Sequence, residues 1–203
     1  MEIKWNYYYK YYDGENALGF KVERKEEVKE ISENNLKPVI KCFNNKIDEI
    51  CSEKYKLDSN TVLEKLVRKL KENNYKVEEK NENNQKQTIN LLEIRDQELN
   101  MKSENKKIFQ VDAFNKKKGI LIEIESGRAY ANNQFLKDFY EAIVSDIVNY
   151  LVIAVRCIYT TKDKENKETN HYNFKSICRY FDVLTESNNS KFLPLKGILI
   201  IGY

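Results

Sequence analysis

Apolar positions change period from one segment to the next, and the changes predict the elements of the chain. Residues 22–32 read as a charged helical stretch. Pro38 fits the first turn of a following helix, which carries Val39, Ile40, Phe43, Ile47 and Ile50 at helical spacing. Asp58 or Ser59 can cap a further helix with Val62, Leu63, Leu66, Val67 and Leu70 on one face, ending at a left-handed stop near Asn73-Asn74. A period of two then predicts short strands at 75–79 and 88–94, around a polar loop at 80–86. Segments 108–114 and 119–125 predict a hairpin closed by Asn115-Lys116-Lys117-Lys118. A helix over 132–145, a strand over 148–158 buried on both sides, a helix over 172–184 and a closing strand over 195–203 complete the chain. This order predicts an α/β fold with a mixed central sheet flanked by helices. A mainly helical region over 1–58, opening with the aromatic run Trp5–Tyr12, is expected to pack on a core spanning 59–203.

The 203 residues suffice to bury roughly 70% of the unfolded surface, so folding needs no disulfide or metal staple. The 35 Lys and Arg nearly balance 32 Asp and Glu, which argues against a basic coat over the whole surface. No apolar run reaches the ~20 residues of a membrane span, and the first residues hold no apolar signal core. A soluble, cytoplasmic protein without a membrane partner is the expectation. The four Cys are scattered and His171 is the one histidine, so zinc-site spacing and a histidine relay both fall away. Neither a phosphate-binding glycine loop, a dinucleotide fingerprint nor a Gly-x-Ser-x-Gly elbow occurs, so no nucleotide cofactor is expected. The remaining chemistry lies in carboxylates.

The informative stretch is Val111-Asp112-Ala113-Phe114 followed by Ile120-Leu121-Ile122-Glu123-Ile124-Glu125. Residues two apart share a strand face, so Glu123 and Glu125 point one way and Ile120, Ile122 and Ile124 the other. With 115–118 as the connection, Phe114 lies opposite Gly119 and Asp112 opposite Leu121, making Asp112 and Glu123 diagonal neighbours roughly 7 Å apart. Three carboxylates crowded on one patch repel each other and call for a compensating charge. Mg²⁺, with Mn²⁺ as a substitute, supplies it and leaves coordination positions for a phosphate oxygen. A half-exposed acidic strand face is the blander account of the same alternation.

The segment resembles the PD-(D/E)XK phosphodiesterase superfamily, which includes many type II restriction endonucleases. Asp112 matches the Asp of the first hairpin strand and Glu123 the acidic position of the second. Glu125 stands where the family usually has Lys, a form similar to a Glu-x-Glu minority variant, and Val111 replaces the usual Pro. The resemblance covers residues 60–203 and implies a restriction-endonuclease-like core, with Asp112, Glu123 and Glu125 as catalytic and metal-holding residues. It further implies Mg²⁺-dependent cleavage of double-stranded DNA by a homodimer, each subunit cutting one strand. Glu64 resembles an accessory acidic position on the first core helix.

Six lysines against two acids between Lys102 and Lys118 make this region locally basic. Lys116, Lys117 and Lys118 at the hairpin tip, together with Arg128, are candidate DNA phosphate contacts. Arg128 can equally pair with a site carboxylate. The rival reading is a catalytically silent nucleic-acid-binding or assembly module on the same fold. A carboxylate-pair glycosidase is disfavoured by the local lysine excess and the lack of clustered Trp.

Overall fold

In the computed structural model, residues 6–11, 34–83, 85–91, 95, 97, 109–186 and 193–203 are described. Helix α1 covers 34–44, a turn at Asn45-Lys46 breaks it, and the single turn α2 (Ile47–Ile50) follows. The expected helix is thus two pieces, and Pro38 lies inside α1 instead of in its first turn. Asp58 caps α3 (Ser59–Glu72) by accepting the Thr61 amide at 2.8 Å. Leu70 and its neighbours Val62, Leu63 and Leu66 are buried, and Asn74 ends the helix at φ 64°.

The strands are β1 (Asn6–Tyr11), β2 (Lys76–Val77), β3 (Glu79–Lys80), β4 (Lys86–Gln87), β5 (Ile89–Asn90), β6 (Gln110–Val111), β7 (Ala113–Asn115), β8 (Ile120–Glu125), β9 (Tyr150–Val155), β10 (Tyr159–Lys162), β11 (Glu168–His171) and β12 (Gly197–Gly202). Helices α4 (Gln134–Val144) and α5 (Asn173–Glu186) fall between them. Six strands form a mixed sheet in the order β1-β12-β9-β8-β7-β2. Its centre, β12-β9-β8, is parallel, and β7 joins β8 antiparallel through the hairpin. The pairs β3-β4, β5-β6 and β10-β11 are separate small ribbons.

Both sheet faces are covered, which gives two cores. Ile120, Ile122, Ile124, Val152, Ala154 and Leu199 pack with Leu36, Val39, Phe43, Val62, Leu66 and Leu70 of α1 and α3. On the opposite face Phe114, Leu121, Leu151, Ile153, Ile198 and Ile200 pack with Phe135, Phe139 and Ala142 of α4 and Ile177 and Phe181 of α5. Gly119 joins the central strands: its carbonyl accepts the amides of Asn149 (2.7 Å) and Tyr150 (3.0 Å). Its φ of +63° and a Cβ position only 2.8 Å from the Ile147 carbonyl oxygen explain the glycine.

Three expectations change. The strand expected over 88–94 shrinks to Ile89–Asn90, with Leu91 already helical. Residues 6–11 are an edge strand paired antiparallel with β12. The β10-β11 ribbon was not predicted, because its Thr, Lys, Glu and Asn residues offer no apolar alternation to read. The helix expected over 22–32 lies outside the described residues.

Candidate active site

Asp112 interrupts the ladder between β6 and β7, and both of its polar ends are engaged. Its Oδ2 accepts the Ile124 amide at 2.7 Å, and its carbonyl accepts the Glu78 amide at 2.7 Å. The side chain is thereby drawn across the hairpin to the middle of β8. The β7-β8 register pairs Phe114 with Leu121 and Ala113 with Ile122, so the next level brings Asp112 opposite Glu123. This differs by two residues from the predicted pairing of Asp112 with Leu121. Asn115 is a strand residue whose Oδ1 accepts the Lys118 amide at 3.1 Å, and the turn moves on to Lys116–Gly119. A slip of two preserves facing, so the shared acidic face survives and Asp112 and Glu123 come closer than expected.

The acidic face is roofed by α4. Glu123 is 8% exposed, while Asp112 and Glu125 are half-buried. Two further acids face the same space from α4: Asp138 is 3% exposed and Glu141 3%. Both stand among the core positions Phe135, Phe139 and Ala142. Lys137, on the same helix, reaches Glu141 Oε1 at 3.3 Å. Across the hairpin edge, buried Glu78 pairs with Lys86 at 2.6 Å.

Electrostatics follow from that burial. Burial pushes Asp112 up to about 7, against the pull of the Ile124 amide and with repulsion from Glu78 and Glu125. Asp138 is pushed up to about 8, by burial first and then by Glu125. Glu123 is held well above the ordinary carboxylate range, again by burial, with Asp112, Asp138 and Glu141 adding repulsion. Glu125 and Glu141 are raised by burial and partly relieved by Lys137. Partial burial works to lower the Lys137 ammonium, but Glu141 and Asp138 outweigh it and the result is a rise.

Three buried carboxylate oxygens, Glu123 Oε1, Asp138 Oδ2 and Glu141 Oε2, have no hydrogen-bond partner. An ionised carboxylate in that state is costly, and it must either take a proton or gain a cation. The donor set is entirely oxygen, which suits a hard divalent ion such as Mg²⁺. Among the described residues, no three His, Cys, Asp or Glu side chains are gathered as a ready-made cage for a metal ion. Mg²⁺ usually takes one or two carboxylates and completes its shell with water and phosphate, so these residues fit it without such a cage.

No family model, curated protein or solved structure matches this chain. The site therefore stands on its own residues.

The remaining candidates are dispersed. Glu64 is exposed on α3 and lines a small pocket of about 50 Å³ with Asn60, Leu63, Glu78 and Lys86, on the Glu78 side of Asp112. Arg128 is exposed, three residues beyond Glu125. Lys116 and Lys117 are exposed and Lys118 half-buried at the hairpin tip, at the opposite end of β8 from Glu125. Five strand steps, roughly 17 Å, separate Ile120 from Glu125, and three, roughly 10 Å, separate it from Glu123. Asp138, Glu141 and Lys137 are the residues that sequence reasoning undervalued. Their signal is charge at core positions of an amphipathic helix.

Proposed function

We propose that the protein is a Mg²⁺-dependent endonuclease of double-stranded DNA with a restriction-endonuclease-like core, acting as a homodimer with Mn²⁺ as a substitute ion. The observation that carries this reading is the pair of unpartnered buried oxygens, on Glu123 and Asp138, beside Asp112. Such oxygens must either keep a proton or gain a cation, and this reading assigns them a cation.

In this reading Asp112 and Glu123 hold the cation, and Glu125 is a further ligand or orients the attacking water. The bound ion would lower the pKa of that water and stabilise charge on the scissile phosphate and leaving oxygen. The chain's own groups do the rest. The Ile124 amide fixes the Asp112 carboxylate in place. Glu125, with its proton affinity raised by burial, is suited to take the proton from water. Lys137 supplies from α4 the positive charge that Glu125 cannot, and it acts on Glu123, Glu125, Asp138 and Glu141 together.

Glu125 in the usual lysine position favours the rival, a silent nucleic-acid-binding module. Conversion of supercoiled plasmid in Mg²⁺ separates the two. The nuclease reading expects nicked and linear products that vanish with EDTA and in Asp112→Asn and Glu123→Gln. DNA binding without cleavage by the wild type leaves only the binding module.

A further inference from the structure

The candidate DNA contacts at the hairpin tip lie at the Ile120 end of β8, which leaves open what guides the strand at the Glu125 end. The loop leaving Glu125 is fastened to α5. Asn173, 1% exposed, donates its side-chain amide to the Gly127 carbonyl at 2.8 Å. The first turn of α5 is thus pinned two residues past Glu125. From there Lys175 and Arg179 stand exposed on successive turns of one helix face, about 6 Å apart. Among the described residues they line, with Tyr172, Ser176, Cys178 and Asp182, a groove of about 450 Å³. Tyr172 is 54% exposed at its near end, and exposed Arg128 adjoins the pinned loop.

Four of the groove's six lining residues, Lys175, Ser176, Arg179 and Asp182, are polar or charged. Two cations, Lys175 and Arg179, line it with one acid, Asp182, and Arg128 is exposed on the pinned loop next to Gly127. The alternative element at this end, the β10-β11 ribbon, carries Lys162, Lys164 and Lys167 against Asp163, Glu165 and Glu168, and Lys162 pairs with Glu168 at 3.1 Å. Its charges cancel, whereas the groove lining holds two cations to one acid.

We infer that the α5 groove, with Arg128, Lys175 and Arg179, is the track that holds the DNA backbone as it leaves the carboxylate site. The inference rests on the nuclease reading and deepens it, because it assigns the phosphate contacts that the tip lysines do not supply. Phosphate contacts of this kind fix register and carry no base preference.

The test is a salt titration of binding to a labelled mixed-sequence duplex, in full-length Asp112→Asn protein with Mg²⁺ so that the DNA stays intact. In that background the pair Lys175→Ala and Arg179→Ala is expected to weaken binding at least about tenfold at moderate salt. It should also reduce the slope of log K against log salt by about 1.8, two phosphates' worth. Arg179→Lys should keep the parent slope, and Lys116→Ala with Lys117→Ala should leave it unchanged. Parent-like affinity and slope in the Lys175/Arg179 variant would overturn the track while leaving the nuclease reading intact. A parent that binds no duplex at all would overturn both.

Discussion

The two faces of β8 are equally covered and oppositely designed. On one, Ile120, Ile122 and Ile124 are 0%, 0% and 3% exposed and meet the apolar flank of α1 and α3. On the other, Leu121 is followed by Glu123 and Glu125, under a helix that contributes Asp138 and Glu141 in place of apolar residues. The first face stabilises the fold, each buried isoleucine contributing roughly 1.5–3 kcal/mol. The second spends stability to hold charge away from water. The difference teaches that burial alone does not identify a core: what matters is whether buried polar atoms find partners, and here three carboxylate oxygens do not.

The sharpest contrast is in activity. Asp112→Asn or Glu123→Gln is expected to reduce plasmid cleavage at least about 100-fold, the equivalent of some 2.7 kcal/mol of transition-state stabilisation. Ile122→Ala, one residue away on the other face, should leave the cleavage rate of the folded protein within about twofold. Its cost should appear instead in denaturant unfolding, as a loss of about 2–5 kcal/mol.

Acidity should affect the two faces differently as well. Asp112 and Asp138 titrate near 7 and 8 when folded, against an ordinary value of 3.8 for both. The folded chain therefore keeps protons that the unfolded chain has released between about pH 4 and pH 8. The associated stability is fully present below about pH 4 and is lost as pH rises through 7 to 8. Cation-free protein should thus melt several degrees higher at pH 5 than at pH 8.5, and Glu123→Gln should flatten that slope. Ile122→Ala should lower the whole curve without flattening it.

Smaller effects come from the cations. Lys137→Ala removes the charge that relieves Glu125, Asp138 and Glu141, so their proton affinities rise further. Cleavage should fall about tenfold near neutrality, with the acidic limb of its pH–rate profile moved to higher pH. Replacing Lys116 and Lys117 by Ala should change cleavage less than about twofold, because the tip is far from Glu125.

Much of this arrangement was legible in residue types. The alternation of 120–125 specified which side chains share a face, and Asp112 had the matching parity. Asp58 and Asn74 marked both ends of α3 by their capping and left-handed preferences. What could not be read was long-range. The register depended on Asn115, whose side-chain amide bonds the Asn73 carbonyl at 3.0 Å and whose Oδ1 closes the turn. The burial of Glu123 depended on where α4 lies, which no local period encodes. The place of Asp138 depended on which face of α4 is buried. The β10-β11 ribbon, with Tyr159 as its single hydrophobic residue, had no alternation with which to announce itself.

The most direct test compares thermal unfolding midpoints of wild type and Glu123→Gln at pH 8, with and without Mn²⁺. If Glu123 is an uncompensated buried carboxylate that a cation completes, the variant melts higher than wild type in EDTA. Mn²⁺ then raises the wild type by several degrees and leaves the variant where it was, reversing or closing the gap. A variant that melts lower in EDTA, together with equal Mn²⁺ responses in both proteins, would contradict the account.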